Sequence, residues 1–208
     1  QERMDRHGNI SKAIILRDTG TGEESELYTT GNKPTAADVG AVNPNLLRNW
    51  YFGNPVNQRG QTTYPRATAY AIDGWKTANY ALDVLTDCIR IYEGGHQISQ
   101  FFEHPISGTV TLSVLFKNRT GAALKALWNN AAETALTSIG STSDTEGLFT
   151  ATFTAVGMTE VLIGTRTGGN SDSVDLIAAK LEFGSVQTLA HQDASGNWVL
   201  NEIPDKNE

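Results

Sequence analysis

From Thr109 to Lys117 the chain reads TVTLSVLFK, with Val110, Leu112, Val114 and Phe116 alternating strictly with Thr109, Thr111, Ser113 and Lys117. A period of two puts the four apolar side chains on one side of an extended strand, whereas a helix would scatter them around its circumference. The segment is therefore predicted to be a strand with one face in a core and one in solvent. Gly147 to Ala155 repeats the pattern, with Phe149, Ala151, Phe153 and Ala155 inward and Thr150, Thr152 and Thr154 outward. Similar runs at Thr68 to Asp73, Tyr80 to Leu85, Cys88 to Glu93, Gln97 to Phe102, Glu160 to Thr167 and Ser173 to Phe183 bring the number of short strands to about eight, which predicts an all-β chain built as an antiparallel β-sandwich of jelly-roll type. Within the last run the apolar phase shifts between Leu176 and Ala179, so a bulge near Ile177 or Ala178 is expected.

Between the runs, Glu93-Gly94-Gly95-His96 and Gly168-Gly169-Asn170 supply the positive-φ residues that hairpin turns need. Gly121 to Ala135, GAALKALWNNAAETA, is open to two readings. Its composition favours a helix with Leu124, Leu127, Trp128 and Ala131 on one face, and its surroundings favour a strand from Leu124 to Asn129. Upstream, Ala13 to Asp18 and Glu26 to Thr30 flank Thr19-Gly20-Thr21-Gly22 as a hairpin would. Such a hairpin is barely stable alone and needs a partner surface. The predicted organisation is an N-terminal hairpin and neck over residues 1–44, a sandwich over 45–189, and a tail over 190–208 that packs on the sandwich or on a neighbouring chain with Trp198 as its anchor.

Composition narrows the function. The net charge of −7 and the lack of a clustered Lys/Arg patch argue against a nucleic-acid partner. No run approaches the ~18 consecutive apolar residues of a membrane span, so membrane insertion is not expected. The single cysteine, Cys88, can form no internal disulfide and reads as a core residue. His7, His96, His104 and His191 have no metal-ligand spacing, and no phosphate loop, nucleophile elbow or dinucleotide fingerprint occurs, so neither a metal nor another cofactor is expected. Asp18-Thr19-Gly20 matches the aspartic-protease tripeptide, but Arg17 before it and Thr-Gly-Glu-Glu after it suit an exposed turn. Carboxylates such as Glu93, Glu103, Asp144, Glu146, Asp172 and Asp175 could converge for glycoside hydrolysis, although nothing in their spacing selects a pair. The aromatic residues are more telling, because a flat ring beside amide side chains suits the apolar face and hydroxyls of a sugar. The candidate carbohydrate-binding residues are Trp75, Tyr80, Trp128, Asn129 and Asn130, with no catalytic and no metal-binding residue.

A resemblance adds to this. Asn32 to Ala41, NKPTAADVGA, resembles an element that recurs in the shafts and necks of bacteriophage tail fibres, and Ile14 to Thr30 resembles the hairpin that often precedes it. Asn45 to Gly60, NLLRNWYFGNPVNQRG, is similar to the opening of C-terminal jelly-roll domains in phage and prophage tail proteins of Gram-positive gut bacteria, and Ala179 to Leu189 resembles their closing strand. There is a looser likeness to jelly-roll carbohydrate-binding modules, whose structural calcium needs acidic residues where this chain has Gly53 and Ile177-Ala178-Ala179. What the resemblance implies is a receptor-binding protein at a fibre tip that forms a homotrimer, belongs to a virion after synthesis in the bacterial cytoplasm, joins other tail or baseplate proteins, and adheres without catalysis to a surface polysaccharide or a teichoic-acid-type glycan. A tail-spike glycan depolymerase and a structural spacer or trimer clamp are the alternatives.

Overall fold

The computed structural model describes residues 15–17, 24–26, 43–93, 97–130, 135–165 and 171–202. Asp18-Thr19-Gly20, the 32–41 element, His7 and His96 lie outside the described residues. The chain divides into two compact units, 1–41 and 42–208. In the first, β1 (Ile15–Arg17) pairs antiparallel with β2 (Glu24–Glu26), and the rest of the expected strand at Glu26 to Thr30 lies outside the described residues.

The second unit contains β3 (Thr63–Ala67), β4 (Lys76–Thr77), β5 (Tyr80–Val84), β6 (Ile89–Tyr92), β7 (Gln97–Thr120), β8 (Leu124–Asn130), β9 (Thr137–Thr142), β10 (Gly147–Gly164), β11 (Ser173–Phe183), β12 (Ala190–Gln192) and β13 (Trp198–Leu200). Nine of these run in the order β3-β5-β6-β11-β7-β10-β8-β9 with β4 on β7, every pairing is antiparallel, and no helix occurs among the described residues. The all-β antiparallel expectation holds, and within 121–135 the residues Leu124–Asn130 form strand β8, paired to β9 and β10.

β7 and β10 are 24 and 18 residues long, and each serves two layers. The second half of β7 pairs with β11 and with the first half of β10, while the end of β10 pairs with the start of β7 and with β8. The crossover lies where register breaks between Ala155 and Glu160, beside Gly157 (φ 64°) and opposite Gly108 (φ 123°). The core joins the layers, with Val110, Leu112, Val114, Phe116, Val174, Leu176, Ala179 and Leu181 buried together with Leu124, Ala126, Trp128, Val161 and Ile163. A Cβ at Gly140 on β9 would meet the Phe149 ring of β10 at 3.2 Å, a tight contact that would require the ring to shift by a few tenths of an ångström.

Three expectations require correction. The Thr68 to Asp73 strand is not formed. β3 lies at 63–67 instead, and the following segment is irregular, its backbone satisfied locally by bonds such as Thr77 N to Ala69 O (2.7 Å) and Ala71 N to Trp75 O (3.1 Å). The links from β6 to β7 and from β10 to β11 are not hairpins, because β11 separates the first pair and β7 the second. Finally, the outer face of β7 is not solvated throughout, since Thr111 and Ser113 are completely buried. The predicted bulge is present, with the β11–β7 register shifting between Leu176 and Ala178.

Cys88 is buried immediately before β6, and desolvation, reinforced by Asp175 and Asp87, pushes its thiol pKa up to about 12. Native protein at pH 8 is expected to resist iodoacetamide, and denatured protein to take up one equivalent; rapid alkylation of folded protein would contradict this burial.

Candidate functional site

The aromatic residues singled out from sequence fall mainly in the core. Trp75 is fully buried, packs edge-on against Phe52 at 5.2 Å, and donates its indole N–H to Asn49 O (3.0 Å) and Arg48 O (3.2 Å). Tyr80 is fully buried, donates its hydroxyl to Lys76 O (3.3 Å), and has a phenol pKa raised well above its usual value by burial. Strand alternation turns Trp128 inward beside Leu124 and Ala126, where it stacks on Phe153 at 6.5 Å. None of the three rings presents a free face to a sugar, which corrects their assignment as a binding platform. Asn130 donates to Val156 O (3.4 Å), and the side-chain oxygen of Asn129 is buried without a hydrogen-bond partner. The Asn45-Leu46-Leu47-Arg48-Asn49 segment has a structural task. Asn45 accepts from Leu47 N and Leu181 N and donates to Ala179 O, and Asn49 donates to Val56 O and Asp73 O.

Exposed aromatic rings lie elsewhere, at Tyr70, Phe101, Phe183 and Trp198, and among them Trp198, 37% exposed, lines a cleft. The C-terminal segment first crosses the outer face of the sheet. Thr188 donates from its backbone N (2.7 Å) and hydroxyl (2.6 Å) to the buried carboxylate of Glu182 and accepts from the buried Lys180 ammonium (2.8 Å). Leu189 and Ala190 then pack with Leu115, Ala178 and Leu200 in a second, smaller core. This covering segment explains the burial of the outer face of β7, where Thr111 also donates to Gly184 O (2.8 Å). The tail is thus anchored by Thr188, Leu189, Ala190 and Leu200, while Trp198, expected to be the anchor, faces outward.

The β12–β13 turn fixes that indole. One Asp193 carboxylate oxygen accepts from Ser195 N and Asn197 N, both at 2.9 Å, and Gly196 (φ 83°) closes the turn, so Trp198 emerges opposite Gln192. These donors hold the Asp193 carboxyl below its usual pKa. Trp198, Asn197, Lys117, Glu146, Gly147 and Ile177 help line a cleft of about 420 Å³ between this hairpin and the sheet. Gly147 (φ 130°) lies under the indole, where a Cβ would stand 3.7 Å from Nε1. The turn before Gly147 is held by Arg119, whose guanidinium donates to Asp144 O (2.6 Å), Gly121 O (2.7 Å), Ala122 O (2.9 Å) and Ser143 O. Lys117 is paired with Asp87 (2.5 Å). The cleft therefore offers an aromatic plane, an amide, a carboxylate and an ammonium within one concavity, chemistry suited to a hydroxylated ring with an apolar face.

No protein-family model matches the chain, and no curated protein matches it. Solved structures that it resembles include a family 29 carbohydrate-binding module (12% identity, 58% of this chain and 86% of the other, TM-score 0.41). They also include mutants of such a module complexed with mannohexaose (12%, 57% and 86%, 0.40) and with cellulohexaose (10%, 57% and 86%, 0.40). These scores are too low for the likeness to carry an argument about what this chain binds.

Sequence reasoning noticed Trp198 without reading its exposure. The available signal was Asp193-Ala194-Ser195-Gly196-Asn197, a turn ending immediately before the ring, which places the ring beside the tip of a hairpin.

Proposed function

We propose that this chain is a non-catalytic glycan-binding protein, the receptor-binding tip of a phage-type tail fibre that attaches a particle to a bacterial surface. The observation that carries the binding reading is the exposed Trp198 indole fixed beside Asn197, Glu146 and Lys117 in one cleft. The tail-fibre reading rests on the likeness of residues 32–41 and 45–60 to tail-protein segments, which also suggests a homotrimer. A single shallow sugar site commonly binds at about millimolar, about 4 kcal/mol, and three copies on one tip convert that into firm attachment through effective concentration. Hydrolysis requires two carboxylates across one groove; the Trp198 cleft is lined by one, Glu146, whereas a separate cleft is lined by Asp83, Glu93 and Asp172, so a reducing-end assay decides for or against the depolymerase.

The test is binding of the full-length chain and of Trp198→Ala to a glycan array and to whole cells, with thermal unfolding measured in parallel. The variant is expected to lose at least about tenfold in affinity, equivalent to about 1.4 kcal/mol. Its Tm should change little, because the ring is partly exposed at a surface turn. Wild-type binding by the variant would refute the site; release of new reducing ends from a bound glycan would favour the depolymerase.

A further inference from the structure

A second cleft, of about 350 Å³, opens between Asp83, Arg90, Tyr92, Glu93, Asp172 and Ser173. Strand register ties it to the first. Asp83 on β5 is the cross-strand partner of Arg90 on β6, Arg90 of Asp175 on β11, and Asp175 of Lys117 on β7. Their neighbours Leu82, Ile89, Ile91, Leu176 and Phe116 are buried in the core, so this row lies on the opposite, outer face of the sheet. Asp83 and Arg90 line the second cleft, and Lys117 lines the Trp198 cleft. Three strand spacings of ~4.8 Å separate the ends of the row, a span of about 14 Å. Between them Arg90 grips the buried Asp175 through two bonds (2.6 and 2.8 Å), and Asn118 donates to the same carboxylate (2.8 Å), so the middle of the row is a fixed surface.

The charges along this path select a ligand class. Among the described residues Arg90 and Lys117 are its cations, and each is already paired, with Asp175 and Asp87. With those two pairs neutral, the further described carboxylates that line the clefts are Asp83, Glu93, Glu146 and Asp172. A phosphate- or carboxylate-bearing polymer would need unpaired Lys or Arg and would meet net repulsion here and from the chain's charge of −7. Hydroxyl groups, in contrast, can donate to carboxylate oxygens without bringing charge of their own.

Resting on the glycan-binding reading above, we infer that the ligand is an uncharged linear oligosaccharide several units long, laid across the strands from the Trp198 cleft to the Tyr92 cleft. Polyanionic wall polymers of the teichoic-acid type are excluded from this path by its charge.

The test is isothermal titration of the full chain with neutral linear gluco- and manno-oligosaccharides from monomer to hexamer, with poly(glycerol phosphate), and with the hits of a neutral-glycan array. Affinity is expected to rise about tenfold or more from dimer to hexamer and to be nearly constant between about 0.05 and 0.5 M salt. Tyr92→Ala and, independently, Asp83→Asn should leave dimer binding within about twofold and remove most of the gain with length. Binding without a length gain, or a length gain unaffected by both variants, overturns the second cleft's role and leaves the Trp198 reading standing. Tighter, salt-sensitive binding of poly(glycerol phosphate) overturns the ligand class. Failure of every glycan probe to bind, or wild-type binding by Trp198→Ala, sinks the underlying reading itself.

Discussion

Glu182→Ala is expected to lower unfolding stability by about 3–5 kcal/mol, the range for removing one member of a buried ion pair. The substitution strands the Lys180 ammonium, which is 2% exposed, and leaves Thr188 N and its hydroxyl without their acceptor. Burial already lowers the Lys180 pKa, with Glu182 acting in the opposite direction as the first of the charges that restore it. Most of the cost is thus an uncompensated charge rather than a lost attraction, and this can be tested directly. A Lys180→Met, Glu182→Leu double variant should recover most of the stability in urea unfolding, because hydrophobic replacement of a buried pair is often neutral. A loss below about 1 kcal/mol in the single variant would contradict the buried network. Since Thr188 leads directly into the hairpin that carries Trp198, Glu182→Ala should also weaken glycan binding in whatever fraction remains folded.

Trp75→Ala is expected to cost about 3–5 kcal/mol, as for other large aromatic deletions from a core. The ring is fully buried against Phe52, and its N–H donates to the Asn49 carbonyl and shares the Arg48 carbonyl with the Gln100 side chain, so truncation leaves a cavity and takes the indole donor from Asn49 O. The paired result is the informative one: Trp75→Ala should fail by unfolding and Trp198→Ala by losing ligand. A Trp75→Ala protein with wild-type stability and lost binding would restore the binding role first read for that residue.

Local patterning carried a good part of the fold. Val110 to Phe116 alternates because one face of β7 meets the core, and the phase shift at Ile177 marks a real bulge because an extra residue must be absorbed to keep Ala179 and Leu181 inward. What depends on distant partners was not legible. Nothing near Glu93 shows that β11, some eighty residues on, will insert between β6 and β7. The Gln97 to Phe102 and Thr109 to Lys117 runs read as separate strands, but β7 continues between them through Pro105, because residues 102–105 have no cross-strand partner on β10 and a missing N–H costs no ladder bond there. Thr111 and Ser113 alternate as solvent-facing residues should, and only the returning tail buries them.

The candidate site failed for the same reason. Trp75, Tyr80, Trp128 and Trp198 all sit beside polar residues in the sequence, and an aromatic ring serves a core as well as a sugar. Burial separates them, and burial is set by which layers close over each ring. Trp198 sits on the two-stranded hairpin at the edge of a cleft and keeps 37% of its surface exposed.

The central claim is that a glycan is recognised at Trp198. Its most direct test is a titration followed through the four tryptophan indole N–H resonances of the labelled full-length chain, using whichever glycan binds on the array. The Trp198 resonance should shift saturably with the binding isotherm while those of Trp75 and Trp128 stay in place. Saturable binding with Trp198 unmoved would place recognition elsewhere and contradict the assignment.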